Sequence, residues 1–227
     1  MELNSLARLR TNVQRFFEKL ALAKGLAGCS SILDLGCGDG SPPRFLPPKG
    51  VRGVGVDLFE PSLRASLARR IHGDYVRGDA TVSCFRDRSF EGVLASHLLE
   101  QLSKDKGRVL LDSVSRLATK RVVIMCPNGF LWKNSELGNP HGSNLSSWNP
   151  TELRKLGFKV FGLSGAKQLR KGHYVGNHFR YDPKLPFLGD GLIFLTSFFT
   201  YFFPRFAFVL FCVKEMDHGT DLRTTEV

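Results

Sequence analysis

The stretch Ile32-Leu33-Asp34-Leu35-Gly36-Cys37-Gly38-Asp39-Gly40 is a short apolar run that ends in glycines at alternate positions. Ser31–Leu35 has the length of a buried strand, and the glycines after it let the backbone pass close against a nucleoside. Outward from this point, short apolar runs alternate with helical patterns. Val51–Val56, Asp74–Arg77, Phe90–Ala95 and Val122–Cys126 read as strands, with Leu63–Ile71 and Val109–Leu117 as intervening helices. A helix at Asn149–Leu156 and strands at Phe158–Leu163 and Phe206–Val213 follow. This rhythm is that of an α/β protein with a doubly wound sheet.

The glycine loop also narrows the ligand. Dinucleotide sites use G-x-G-x-x-G, whose third glycine would fall at Ser41, and rely on backbone N–H groups at the following helix start to hold pyrophosphate. Pro42 and Pro43 remove two such donors. A ligand without phosphates loses nothing by that, so the prolines favour S-adenosylmethionine over NAD. Val54-Gly55-Val56-Asp57 ends the second strand with an acceptor-only carboxylate, suited to both hydroxyls of a ribose. Gly78-Asp79-Ala80 offers a carboxylate for an adenine amino group and a backbone N–H for a ring nitrogen. Asp34, Asp57 and Asp79 gather negative charge in a basic protein, which suits a sulfonium cation. Any one of them alone reads equally as a cap or turn former; their joint spacing is what points to a ligand.

The chain has 227 residues, 42% hydrophobic and 23% charged, which suits one core and a single domain. With 32 basic and 21 acidic residues it carries a formal charge of +11, so a polyanion, a phospholipid surface or an anionic substrate is a natural partner. The five cysteines, at 29, 37, 84, 126 and 212, form no CxxC pair, which argues against a structural zinc site and a disulfide scaffold and for reduced thiols in the cytoplasm. No metal is expected. Leu6, Leu9, Val13, Phe16, Phe17 and Leu20 recur at helical spacing, so Asn4 to Leu26 reads as an amphipathic helix. Arg8, Arg10 and Arg15 interrupt any signal-peptide run, and Glu2 and Glu18 weaken a transit-peptide reading. The expected organisation is a helix at 1–28 packed on a domain at 29–227, with no internal repeat.

The ordered pieces ILDLGCGDG at 32–40, VGVDLFEPSL at 54–63, GDA at 78–80 and SFEGVLASHLLEQL at 89–102 resemble the class I S-adenosylmethionine-dependent methyltransferases, especially the methyltransferase domain type 11 group. The segment from Asn139-Pro140-His141 through Trp148 to Phe158 is similar to the approach to the sixth strand in these proteins. The resemblance implies a Rossmann-like sheet of seven strands, mostly parallel, with the last antiparallel. It implies that Gly36, Cys37, Gly38 and Gly40 line the methionine and ribose part of the cofactor, with Asp34 near its amino group. Asp57 and Leu58 would hold the ribose, Asp79 and Ala80 the adenine, and Ser96, His97 and Leu98 would lie beside the transferred methyl. Three departures stand out: Phe90-Glu91 replaces the usual Phe-Asp, Glu100-Gln101 the usual Glu-His, and the link between the first two strands is short and holds Pro42, Pro43, Pro47 and Pro48.

Methyl transfer is an in-line displacement that mainly needs alignment within about 3–3.5 Å and exclusion of water. His97 is the best-placed group to accept the acceptor's proton, and His141 the second; for His97 capping or packing beside the cofactor is an equal reading. Trp132 and Trp148 offer either an aromatic wall or plain loop packing. The Asp/Asn-Pro-Pro-aromatic run of amino-directed nucleic-acid methyltransferases is absent, since Ser96-His97-Leu98-Leu99 stands there, and no Pro-Cys pair occurs at that site. Small-molecule acceptors therefore rank above RNA or DNA.

Residues 151–184 carry eight Lys or Arg against two acids, whereas 185–213 contain ten Phe or Tyr and only Asp190 and Arg205 as charges. Gly191 to Phe203 is too short to span a bilayer and is broken by Pro204. As ordinary structure it is a helix, 191–203, covering the sheet before the last strand. Thr196, Ser197 and Thr200 give it only a narrow polar stripe, so it needs cover from a partner subunit in a homo-oligomer, an apolar substrate tunnel or a membrane interface. The expected function is methyl transfer from S-adenosylmethionine to a small, lipophilic acceptor, by a cytoplasmic protein with peripheral membrane contact through 185–213. The rivals are a nucleic-acid methyltransferase and a non-catalytic cofactor- or membrane-binding module.

Overall fold

In Val122-Val123-Ile124-Met125 successive side chains point to opposite faces, and all four are buried, so the sheet they belong to is covered on both sides. The computed structural model, which describes residues 17–40, 51–82, 84–133, 139–175, 178–184 and 188–216, contains that sheet. Its strands are β1 (Ser31–Leu35), β2 (Arg52–Asp57), β3 (Asp74–Arg77), β4 (Phe90–Ser96), β5 (Ala118–Pro127), β6 (Lys159–Ala166) and β9 (Ala207–Glu215). Their order is β3-β2-β1-β4-β5-β9-β6. All pairings are parallel except those of β9, which runs antiparallel to both β5 and β6. The expected seven-stranded, Rossmann-like sheet with an antiparallel last strand is thus observed.

The helices are α1 (17–25), α2 (Glu60–Ala68), α3 (Lys104–Leu117), α4 (Pro150–Lys155) and α5 (Gly189–Phe202). On one face Leu110, Val114 and Leu117 of α3 pack with Leu33, Val93, Val122 and Ile124. On the other, Leu22 of α1 and Leu26 just after it pack with Ile32, Leu94, Val123 and Met125. Arg121 ties α1 down by donating to the carbonyl of Ala27 at 3.0 Å, with longer contacts to those of Lys24 and Gly25, where a helix end leaves carbonyls unpaired. Residues 4–16 of the helix expected over Asn4 to Leu26, and the proline link at 41–50 with Pro42, Pro43, Pro47 and Pro48, lie outside the described residues.

Several boundaries differ from expectation for physical reasons. Helix α2 begins at Glu60 rather than Leu63, because Pro61 fits the first helical turn, where its missing N–H costs nothing. Helix α3 begins at Lys104 rather than Val109, with the Ser103 hydroxyl accepting from the Lys106 N–H at 3.4 Å. Strand β5 begins at Ala118, because its polar start is held from the side: Thr119 donates to the Phe90 carbonyl and Lys120 pairs with Glu91. A hairpin of β7 (Arg170–Val175) and β8 (His178–Pro183) forms within the basic segment and was not anticipated.

Helix α5 lies flush on β6. A Cβ on Gly162 would stand 2.2 Å from the Thr200 carbonyl oxygen, and one on Gly165 2.4 Å from that of Ile193, so only glycine permits this approach. Its polar stripe faces the sheet: Thr200 is fully buried, and the Thr196 hydroxyl accepts from the Ala166 N–H at 3.1 Å.

Candidate active site

Strand order reverses at β1, which has β2 on one side and β4 on the other, and open α/β sheets bind ligands at such a switch point. The register sets Leu35 beside Val56 and Ala95, so Gly36, Asp57 and Ser96 emerge together at the carboxyl ends. Gly36, Gly38 and Gly40 all adopt positive φ (69°, 55° and 73°), which an L side chain resists. A cavity of about 750 Å³ opens over these ends. Gly36, Gly38, Asp57, Leu58, Asp79, Ala80, Ser96, His97 and His141 line it, so most of the residues singled out in the sequence meet in one place. Asp34 and Cys37 are buried and, like the partly exposed Gly40, are not among the lining residues.

Both oxygens of Asp57 are oriented by backbone: Oδ2 accepts from the Gly38 N–H at 2.7 Å and Oδ1 from the Phe59 N–H at 2.8 Å. Each keeps a second lone pair for a hydroxyl. Asp79 Oδ1 accepts from both the N–H and the hydroxyl of Thr81, at 2.8 and 2.7 Å. Burial works to raise the Asp79 carboxyl, but these two bonds, with Lys106 and His141 nearby, outweigh it and hold the group below the usual carboxylate range. The cleft thus offers two acidic acceptors along one edge. Asp34 is buried, with Oδ2 3.1 Å from Nε2 of the equally buried His72. Cys37 is fully buried, its sulfur filling the space that a side chain at Gly55 would occupy.

His97 adopts φ 55°, a strained conformation for a residue with a Cβ. Three contacts impose it. Its N–H donates to the Met125 carbonyl at 2.8 Å, its own carbonyl accepts from Gln101 Nε2 at 2.7 Å, and ring Nδ1 lies 3.1 Å from Glu100 Oε1. Glu100 is buried, and its Oε2 has no hydrogen-bond partner among the described residues. Sequence reading noted Glu100 and Gln101 only as departures from a pattern; the i, i+3 and i, i+4 spacings from His97 were the available signal. Glu18 of α1 and Lys106 of α3 also line the cavity and were missed, because their partners, Ser164 and Asp79, are distant in sequence.

The aromatic candidates separate. Trp148 is 2% exposed, packs against Gly107 and Leu99, and donates through Nε1 to the Ser146 hydroxyl at 3.0 Å, so it is core rather than an acceptor wall. Trp132 is partly exposed and is not among the cavity's lining residues.

The profile of the family described as Methionine biosynthesis protein MetW matches residues 18–137, more than half of the chain and all of the strands that form the cleft floor. The chain belongs to the MetW family. Its architecture is that of the class I S-adenosylmethionine-dependent methyltransferases. A SAM-dependent methyltransferase from Archaeoglobus fulgidus superposes with a TM-score of 0.54 at 17% identity, covering 92% of this chain and 93% of that one. The chain is 33% identical over 90 residues to an 18S rRNA (guanine-N(7))-methyltransferase of Mus musculus, covering 39% of itself and 31% of that protein. It is 33% identical over 99 residues to a malonyl-[acyl-carrier protein] O-methyltransferase of Pseudescherichia vulneris, covering 43% of itself and 39% of that protein. The matches thus span about a third of the length of the curated relatives. Among the described residues, no helix is long and apolar enough to cross a membrane.

Proposed function

We propose that this chain transfers a methyl group from S-adenosylmethionine to an oxygen, nitrogen or carbon of a small, apolar acceptor. The observation that carries the reading is the pair of fixed carboxylates, Asp57 and Asp79, flanking the glycine edge of one cleft at the sheet's switch point. That donor set fits an adenosine: Asp57 takes the ribose hydroxyls, Leu58 packs beside them, and Asp79 with the Ala80 N–H takes the adenine. Gly36, Gly38 and Gly40 give the close approach, and Asp34 and Cys37 support the loop from behind. When bound, the cofactor supplies an electrophilic methyl on a sulfonium. Ser96 and His97 flank the acceptor, and the acceptor's proton passes to His97 as the new bond forms. In the tautomer that donates Nδ1–H to Glu100, 3.1 Å away, Nε2 is the basic atom of the neutral ring. His141, on the opposite loop of the cleft, orients the acceptor.

In this reading 29–227 is one methyltransferase domain, the helix before it, described over 17–25, packs on it through Leu22, and five cysteines without a CxxC pair support a cytoplasmic setting. A second reading, an RNA or DNA acceptor, draws on the net charge of +11 and on the rRNA-modifying relative. Labelled-methyl transfer into a cell extract, partitioned into lipid, aqueous and nucleic-acid fractions, separates the two. Label in the lipid or small-molecule fraction, lost with Asp57→Ala, is the expected result; label confined to nucleic acid would replace the acceptor, and no label anywhere would leave a binding module. Calorimetry with NAD should give no heat where S-adenosylmethionine does.

A further inference from the structure

We propose that the outward face of α5, together with a basic hollow beside it, is a docking surface for an anionic lipid bilayer. The inference does not rest on methyl transfer, and its test needs no cofactor.

Helix α5 is inside out for a solvated surface helix. A helix that covers a sheet ordinarily turns apolar residues inward and polar ones to water. Here Thr196 and Thr200 face β6, and the hydroxyls of Thr196, Ser197 and Thr200 are consumed by the helix's own carbonyls. Outside stand Phe198 at 78% exposure, Leu195 at 69% and Phe202 at 60%. Single exposed apolar residues are ordinary, but a contiguous run along one helix marks a contact surface.

The second observation concerns charge. A hollow of about 540 Å³ lies at the other side of the turn after α5, with Arg154, Lys155, Lys167 and Arg205 in its lining. None of these four has an acidic partner among the described residues, and Glu152, the acid in the same lining, is engaged by Lys104 at 2.9 Å. The two features meet at Arg205. Asn128 Nδ2 donates to the carbonyls of Pro204, Arg205 and Ala207 at 3.0, 3.0 and 2.8 Å, which fixes the turn. The rings of Phe199 and Phe203 stack at 4.6 Å, Phe206 joins them at 5.8 Å from Phe199, and the Arg205 guanidinium lies 4.4 Å above the Phe206 ring. Aromatic face and cationic hollow are therefore one continuous surface.

This combination selects its occupant. An anion with an apolar body fits: phosphate in the hollow, acyl chains against Leu195, Phe198 and Phe202. A second copy would set these unpaired cations against one another in a chain of charge +11. A nucleic acid would answer the hollow but leave the outer rings of α5 unexplained. Spanning is excluded by length, since the 14 residues of α5 reach about 21 Å against a hydrocarbon core of about 30 Å. The face also adjoins the cleft: Phe17 of α1 contacts Phe194 of α5 with ring centroids 6.0 Å apart, and the next residue, Glu18, lines the cavity. Docking would bring the cleft mouth to the lipid.

The test is co-sedimentation of the full chain with vesicles of phosphatidylcholine alone and of phosphatidylcholine with phosphatidylglycerol. Binding to the anionic vesicles that weakens with added salt is expected. Lys167→Gln with Arg205→Gln should weaken it about 25-fold, at roughly fivefold for each basic residue near a charged surface. Leu195→Ser with Phe198→Ser should abolish it at unchanged melting temperature, since both side chains are exposed. Failure to bind anionic vesicles, or binding that neither double variant alters, would overturn the proposal. A dimer seen by light scattering and lost in the Leu195→Ser/Phe198→Ser variant would overturn it too, in favour of a second copy.

Discussion

Replacing Asp57 with alanine should weaken S-adenosylmethionine binding by about a hundredfold. The carboxylate is already oriented, with each oxygen held by one backbone N–H at 2.7 or 2.8 Å, so its remaining lone pairs are aimed before ligand arrives. A hydrogen bond to a charged group contributes about 1.5–3 kcal/mol, and the lower end applies because the cleft is open to water. Two ribose hydroxyls at about 1.5 kcal/mol each give about 3 kcal/mol, or slightly over two decades in Kd. Asp57→Asn retains one acceptor oxygen, which the Gly38 and Phe59 N–H groups then contest, and should fall about tenfold, as one bond is lost. Calorimetry with S-adenosylhomocysteine, beside thermal melts of each variant, measures both. An alanine variant that melts like the parent yet binds within threefold of it would refute the role given to Asp57.

Gly162→Ala drives a Cβ to 2.2 Å from the Thr200 carbonyl oxygen, backbone against backbone, so α5 must lift; overpacking of about 3 kcal/mol should lower Tm by about 6–12 °C, measured by calorimetry. A melt within about a degree of the parent's would mean that α5 is not seated on β6 in this way. Glu91 has its carboxyl held down at about 2 by the Ser30 N–H and the Lys120 ammonium. Its ordinary value is 4.5, so the stability it adds is complete above that pH and disappears as pH falls towards about 2. The Tm gap between parent and Glu91→Gln should therefore be present at neutral pH and close in acid; a gap that widens on acidification would reverse the assignment. Burial pushes the thiols of Cys126 and Cys212 well up, whereas Cys84 is exposed. Brief alkylation of the native protein at mildly alkaline pH, read by mass spectrometry, should modify Cys84 and spare Cys126 and Cys212, which react only after unfolding.

The cleft was legible where ligand chemistry and chain order coincide. Gly36, Asp57, Asp79 and His97 each end a strand or follow one within two residues, so the sheet topology alone brings them together. Contacts made across the sequence were not legible. Glu18 reaches the cleft by pairing with Ser164, and Trp148 is drawn into the core by the missing side chain of Gly107; neither leaves a local trace. The β7–β8 hairpin was obscured by its charges, although Gly176-Asn177 between two β-prone runs is a hairpin signal. Helix α5 was recognised, but its orientation was not, because a narrow polar stripe normally marks the solvent side. Gly162 and Gly165, four and one residues from the end of β6, carry the clue that threonines rather than phenylalanines face the strand.

A crystal soaked with S-adenosylhomocysteine would examine the assignment of the cleft most directly. The ribose should sit on the Asp57 carboxylate, the adenine beside Asp79 and Ala80, and the sulfur between Gly36 and His97. A nucleoside bound elsewhere on the protein, or a soaked crystal whose cleft stays free of it, would contradict the assignment.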